Sequence, residues 1–193
     1  MIELAPWRST LSRALHRNRS LVYARYAQLA TVQANRPANR TVVFRGFLED
    51  SNTLKFVTDR RSKKVEQIAE NPWGALCWYF PKTREQFRIS GKLKVVTAIE
   101  ANSELLHLRE VAWLALSEGA RSQFAWPHPG QPKSESEASS QESITCKTPL
   151  DEFCLLLLTP QEVDHLELRE KPHHRCGYTL TANGDWEQHI LNP

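Results

Sequence analysis

Arg40-Thr-Val-Val-Phe-Arg-Gly-Phe-Leu-Glu-Asp-Ser-Asn-Thr-Leu-Lys-Phe-Val-Thr-Asp-Arg-Arg-Ser-Lys-Lys64 is the stretch on which the fold turns. Residues 40–48 are rich in β-branched and aromatic side chains, which fit a pleated, half-buried surface, and they read as a strand. Residues 49–52 are polar turn chemistry. Residues 53–58 alternate apolar and polar with the period of a strand. Ser62 can cap a helix over 62–70, in which Val65, Ile68 and Ala69 share one face, and Asn71-Pro72 stops it. Two strands therefore run into a helix whose first turn is cationic.

Working outward, residues 28–33 read as another strand and 34–39 as a turn, so that 28–33, 40–48 and 53–58 form an antiparallel meander. Further upstream, Leu11, Ala14, Leu15, Val22 and Tyr26 follow helical spacing, with Ser9 or Thr10 as the cap; the break in the pattern at 18–20 allows two short helices. Downstream, 73–80 is a nearly continuous apolar strand and 84–97 a long one with Gly91 as a bend or bulge. Residues 100–116 are helical. Strands at 153–158, 163–168 and around 178–190, with an Asn183-Gly184 turn, complete the sheet. About seven or eight antiparallel strands with three helical pieces predict an α+β protein, mainly β, built as a barrel with helices at its rim.

Composition sets outer limits. The 193 residues suit one domain, read here as 1–193, with a helical segment at 1–26 and a flexible Ser/Glu-rich loop at 131–148. The longest apolar run, Cys154-Leu-Leu-Leu-Leu158, has the length of a strand and not the roughly 20 residues of a membrane span. Nothing at the start resembles a signal peptide, so a cytoplasmic location is expected. The four cysteines have no C-x-x-C spacing, which argues against zinc and for reduced thiols. No Gly-rich phosphate loop or nucleophile elbow occurs. Residues 1–45 carry eight arginines against one acid, whereas 131–170 carry nine acids against three bases. The cationic front suits a phosphorylated ligand, a nucleic acid or an acidic partner.

Chemistry concentrates in four places. Arg40 and Arg45 stand an odd number of residues apart and face opposite sides of a regular strand; they are either strand-end arginines in water or guanidinium forks for an anion. Ser62, Lys63 and Lys64 place a hydroxyl and two ammonium groups at a helix start, where they oppose the dipole unless an anion binds. Gln86, Arg88 and Ser90 form a polar stripe on one strand face, suited to water, a subunit interface or an amide-edged ligand. His173 and His174 in Lys171-Pro-His-His-Arg175 point oppositely on a strand and do not chelate one metal.

The order of these segments is more informative than any one of them. Leu29-Ala-Thr-Val32, Arg40-Thr-Val-Val-Phe-Arg45, Phe56-Val-Thr58, Ser62-Lys-Lys64, Gln67-Ile68, Asn71-Pro72, Glu85-Gln86, Gly91-Lys92 and His173-His-Arg175 occur in a succession that resembles the pyridoxamine 5'-phosphate oxidase family. The resemblance covers 27–118 and 153–193 and is sharpest over 40–92. It is strongest to a branch with a shorter C-terminal half, here carrying Arg121-Ser-Gln-Phe-Ala-Trp-Pro-His-Pro-Gly130.

The resemblance implies an FMN-binding split β-barrel that works as a homodimer with two FMN sites at the subunit interface. It implies FMN contacts from Arg40, Val43, Arg45, Val57, Thr58, Lys63, Lys64, Ser122, Gln123 and Arg175, with Gln86 reaching across from the partner subunit. A small anionic substrate would be held by Arg45, Arg109, Lys171 and His173. Five family positions differ here: Arg45 stands for a lysine, Lys171 for an arginine, Leu105 for a tyrosine, Trp113 for a serine and Leu166 for a tryptophan. The expected function is therefore that of an FMN-dependent oxidoreductase of the pyridoxamine 5'-phosphate oxidase type. The alternative is a non-catalytic module that holds FMN or another ligand. No metal or membrane is expected as a partner, given the cysteine and histidine spacing and the short apolar runs, and no nucleic acid, because the basic residues cluster at the positions matched to flavin contacts.

Overall fold

A computed structural model describes residues 4–132 and 146–193. Most of the Ser/Glu-rich stretch read as a loop lies outside the described residues. The order is α1 (Pro6–Asn18), a 3-10 turn (Val22–Arg25), β1 (Tyr26–Gln33), β2 (Arg36–Val43), β3 (Leu54–Asp59), α2 (Lys63–Glu70), β4 (Trp73–Phe80) and β5 (Glu85–Val96). Then follow α3 (Ser103–Leu114), α4 (Glu118–Ser122), a 3-10 turn (Gln123–Ala125), β6 (Phe153–Glu167), β7 (His174–Leu180) and β8 (Trp186–Leu191).

All eight strands belong to one antiparallel sheet ordered β2-β1-β4-β5-β6-β7-β8, with β3 on β6. The expected meander is present through residues 45–48, which continue the path of β2 and meet the start of β3 at Phe47–Leu54, while the full ladder of β3 runs along β6. What residues 45–48 do is carry the path of β2 past β1 and onto the other side of β3: Arg45 N donates to the Lys55 carbonyl, Lys55 N to that of Gly46 and Leu48 N to that of Thr53, each at 2.8 Å. Gly46 makes the change of direction at φ 108°, a region L side chains avoid. With β6 on its other flank, β3 closes the barrel.

The split lies along β6. Its one edge pairs with β5 over residues 155–167, while the other carries β3 over 153–158 and β7 over 162–167. Pro160 falls between the two partners, where a missing N–H leaves no ladder bond unmade. Opposite it, the register slips between Ser90 and Gly91, and a Cβ on Gly91 would run into the Thr159 carbonyl. The bulge expected at Gly91 is therefore present, and only glycine fits its approach.

Other expectations are corrected in detail. The turn before β2 is not 34–39 but Ala34-Asn35 alone, both at positive φ. Pro37 therefore sits inside β2; Gln33–Arg36 closes the turn, so the Val32–Pro37 pair is the non-hydrogen-bonded one and Pro37 costs the ladder nothing. The first helix begins at Pro6, a favoured first-turn residue, and not at Ser9 or Thr10. It ends at Asn18, whose buried side chain donates to the Ala14 carbonyl (2.9 Å) and to Thr83 Oγ1 (3.1 Å) and accepts from Lys82 N (3.0 Å). Val22 and Tyr26 consequently leave the helical face and are exposed. Residues 153–158 and 163–168 are one long strand. Trp7, Leu11 and Ala14 of α1 join Phe44, Phe56, Trp78 and Phe87 in the main core.

Candidate functional site

The cationic helix start singled out in the sequence is drawn into a polar cluster under the barrel wall. Arg40 projects toward α2: Nη1 donates to the Leu29 carbonyl (3.1 Å) and to Thr31 Oγ1 (2.7 Å), and Nη2 donates to Gln67 Oε1 (2.8 Å). Thr31 in turn donates to Gln67 (2.6 Å), and Gln67 Nε2 to Gln33 Oε1 (3.0 Å). Every acceptor around Arg40 is neutral. Lys64 Nζ donates to Thr58 Oγ1 (2.9 Å) and Ser62 Oγ (2.6 Å). Burial, and after it the nearby Arg40 charge, hold the Lys64 ammonium below its ordinary pKa, against the pull of Asp59. Asp59 is itself engaged by Arg61, through Nε at 3.0 Å and Nη2 at 2.7 Å. Neither Arg40 nor Lys64 forms an ion pair among the described residues.

Ser62 occupies the N-cap of α2 without making a side-chain cap bond. Its hydroxyl accepts from Lys64 instead, which corrects the expected capping role and leaves first-turn N–H groups open. Of the expected apolar face, Ile68 is buried, Val65 is half-buried and Ala69 is exposed; buried Gln67 takes the inner position that orients Arg40.

Beside this cluster lies a cavity of about 350 Å³. Val43 and Arg45 line one wall, Val57, Thr58 and Lys64 the next, and Gln123 the third. Arg40 and Arg45 do face opposite sides, Arg40 toward Gln67 and Arg45 toward the cavity. Phe124, Trp126 and Pro129 also line it, and sequence reasoning missed them. Their signal was only that an otherwise polar segment carries two large aromatics. Lys63 is exposed and Ser122 donates to the Gly119 carbonyl (3.1 Å); neither lines the cavity.

Gln86 and Arg175 lie elsewhere. They flank Leu166 in one cross-strand row, Gln86 opposite Leu166 and Leu166 opposite Arg175, on the outer face of the sheet. Arg175 grips Asp164 through Nε (3.0 Å) and Nη2 (2.8 Å), and Arg88 shares that carboxylate at 2.8 Å. Burial raises the Asp164 pKa, but the two guanidiniums outweigh it and carry the group below the usual range. The same face holds a depression of about 460 Å³ lined by Gln28, Cys77, Arg88, Ser90 and Asp164.

The substrate-side residues are not gathered in one chain. Arg109 is 4% exposed, its Nε donating to the Phe153 carbonyl (2.8 Å) and its Nη2 to that of Leu150. Its guanidinium thus pins the start of β6 and does not open onto the cavity. Trp113 is buried, with Nε1 donating to the Cys146 carbonyl (3.0 Å). Lys171 and His173 lie in the β6–β7 connection, outside the cavity. A cluster the sequence did not reveal joins buried Glu85 and His165 to the half-buried Glu167, with His165 Nε2 at 3.0 Å from Glu85 and the imidazole stacked on Phe87 at 4.2 Å.

The comparisons agree with this architecture. The family model for the pyridoxamine 5'-phosphate oxidase FMN-binding domain matches residues 4–97. Pyridoxine/pyridoxamine 5'-phosphate oxidase 2 of Arabidopsis thaliana is 40% identical over 194 residues, covering 98% of each chain. A crystal structure of a pyridoxamine 5'-phosphate oxidase-related, FMN binding protein from Nostoc punctiforme superposes with a TM-score of 0.95 at 52% identity, over 99% of this chain and 100% of that one. PhzG from Burkholderia lata, at 22% identity and a TM-score of 0.79 over 96% of this chain and 91% of its own, shares the fold. The chain belongs to the pyridoxamine 5'-phosphate oxidase-like family of FMN-binding split-barrel proteins.

Proposed function

We propose that this protein binds FMN in the cavity between β2, β3 and the start of α2, and that it is an oxidoreductase of the pyridoxamine 5'-phosphate oxidase type acting on a small anionic substrate. The observation that carries the reading is the pair Arg40 and Lys64. Two cations are held close together by neutral partners, beside first-turn N–H groups; Lys64 lines the cavity and Arg40 stands behind it against Gln67. A phosphate dianion would supply the missing negative charge and raise the depressed Lys64 pKa. Thr58 and Lys64 would hold that phosphate, Arg40 would complete its field, and Val43 and Val57 would lie along the ring system. When bound, FMN supplies the hydride chemistry, and the chain supplies position and exclusion of water.

The active form in this reading is a homodimer with two sites at the interface. Gln86 and Arg175 support it, because they face outward beside a broad depression and cannot complete the cavity of their own chain. A second copy would bring that row, and the adjacent Lys171 and His173, against the open side. Arg109 favours a second reading, a flavin holder without turnover, since the arginine matched to substrate is spent on backbone carbonyls. The test is an absorption spectrum of the purified protein and of its heat-released ligand, with sedimentation to give the oligomeric state. About one FMN per chain in a dimer is the expected result, and a colourless protein that ignores added FMN overturns it. Anaerobic bleaching of the flavin by pyridoxamine 5'-phosphate separates oxidase from holder.

A further inference from the structure

We infer that Trp126 is the aromatic wall of the cavity and stacks on the isoalloxazine ring of the cofactor, an assignment that rests on the FMN reading above. Trp7, Trp78 and Trp113 are fully buried, and the exposed Trp73 lies beneath Lys92, whose Nζ is 4.0 Å from its ring. Trp126 is 45% exposed, lines the cavity, and pairs with no other aromatic ring among the described residues. An indole so placed regains its lost burial when a planar ligand fills the space.

The segment that carries it is anchored. Phe124, two residues earlier, packs edge-on against Trp113 (5.9 Å) and Phe153 (5.0 Å). The Phe124 carbonyl accepts from Arg61 Nη2 (3.3 Å), and that guanidinium is fixed by its fork onto Asp59. Trp126 N donates to the Gln123 carbonyl (3.3 Å), and prolines at 127 and 129 restrict the chain that follows. Asp59 ends the strand that supplies Val57 and Thr58, so one ion pair ties the Trp126 wall to the strand beneath the ligand. The cavity is continuous from Lys64 to Trp126. A ligand with its phosphate at Lys64 therefore carries its rings toward the indole. Indole is electron-rich and isoalloxazine electron-poor, which favours stacking between them.

Full-length wild type, Trp126→Ala, Trp126→Phe and Lys64→Ala, each stripped of ligand, are titrated with FMN and with riboflavin, which lacks the phosphate. Trp126→Ala is expected to weaken both flavins by the same factor, on the order of tenfold, and to brighten bound-flavin fluorescence that the indole otherwise quenches. Trp126→Phe falls between. Lys64→Ala weakens FMN and leaves riboflavin unchanged. Trp126 lies outside the packed clusters, so its variants fold, and thermal melts verify this. Wild-type affinity and fluorescence in Trp126→Ala overturn the assignment alone, as does a loss confined to FMN. Failure of the wild type to bind either flavin overturns the FMN reading with it.

Discussion

Replacing Lys64 by methionine separates a ligand post from a structural tie, because the two roles predict opposite signs. The side chain is half-buried and its ammonium donates to Thr58 and Ser62, two hydroxyls that water can also serve. Methionine keeps most of the stem's packing and removes the charge. With FMN present, the lost charge-assisted bond to phosphate costs about 1.5–3 kcal/mol, or roughly 10- to 150-fold in Kd. In the unliganded protein the same change removes an ammonium disfavoured first by burial and then by Arg40. Relief on the order of 1 kcal/mol raises Tm by about 2–4 °C in a chain of this size. The pH dependence follows. A lysine whose folded pKa lies below its unfolded one destabilises the fold while charged; that penalty is full below the folded value and fades as pH rises from there through the unfolded one. Phosphate binds the charged form, so wild-type FMN affinity should fall with pH in the alkaline window below the ordinary lysine value. Lys64→Met should be flat there. Fluorescence titration and melting curves from neutral pH upward read both effects. A variant that melts several degrees lower yet binds FMN normally would refute the reasoning and make Lys64 a strut between β3 and α2.

Three further outcomes follow from other parts of the fold. Arg109→Met leaves the Leu150 and Phe153 carbonyls without their donor and should cost about 2–4 kcal/mol, seen by calorimetry as a Tm lower by on the order of 10 °C; an unchanged Tm with only a raised KM would return Arg109 to the substrate. Burial raises the Glu85 pKa, but hydrogen bonds from His165 and Thr83 and the charges of His165 and Arg13 carry it below the ordinary value. Its ionised form therefore contributes stability above the unfolded carboxylate pKa, lost as pH falls through the folded one; Glu85→Gln should flatten the acid limb of a Tm–pH plot, and an unaltered limb would count against the pair. Gly91→Ala forces a methyl onto the Thr159 carbonyl and should cost about 1–3 kcal/mol or more, measured by urea unfolding; a neutral result would mean the bulge relaxes freely.

What could be read from the sequence, and what could not, divides by range. Trp73–Phe80 and Glu85–Val96 declare themselves because alternation and turn chemistry are local properties. The partner of β3 is not local. Its ladder joins Leu54 to Leu158 across a hundred residues, and the alternation of 53–58 fits a neighbour on β2 as well as one on β6. Ala34-Asn35 reads as part of a longer turn, 34–39, because Pro37 makes the residues after it look like loop; the edge position of β2 explains how they are strand instead. The site divides in the same way. Lys64 stood out because cations at a helix start contradict the dipole, a conflict visible in four residues. Gln67 and Arg61 gave no such signal, since a glutamine on a helix and an arginine in a charge run are ordinary until Arg40 and the Phe124 carbonyl come within reach. Arg109 shows a different limit. The family resemblance matches it to a substrate anion, and only the folded chain shows that Nε and Nη2 donate to the carbonyls that launch β6. An arginine's role follows from which acceptors remain once the backbone has taken its share. In this chain Arg40 and Lys64, among neutral partners at the start of α2, are the pair proposed above to meet an anion, with Arg45 on the cavity wall beside them.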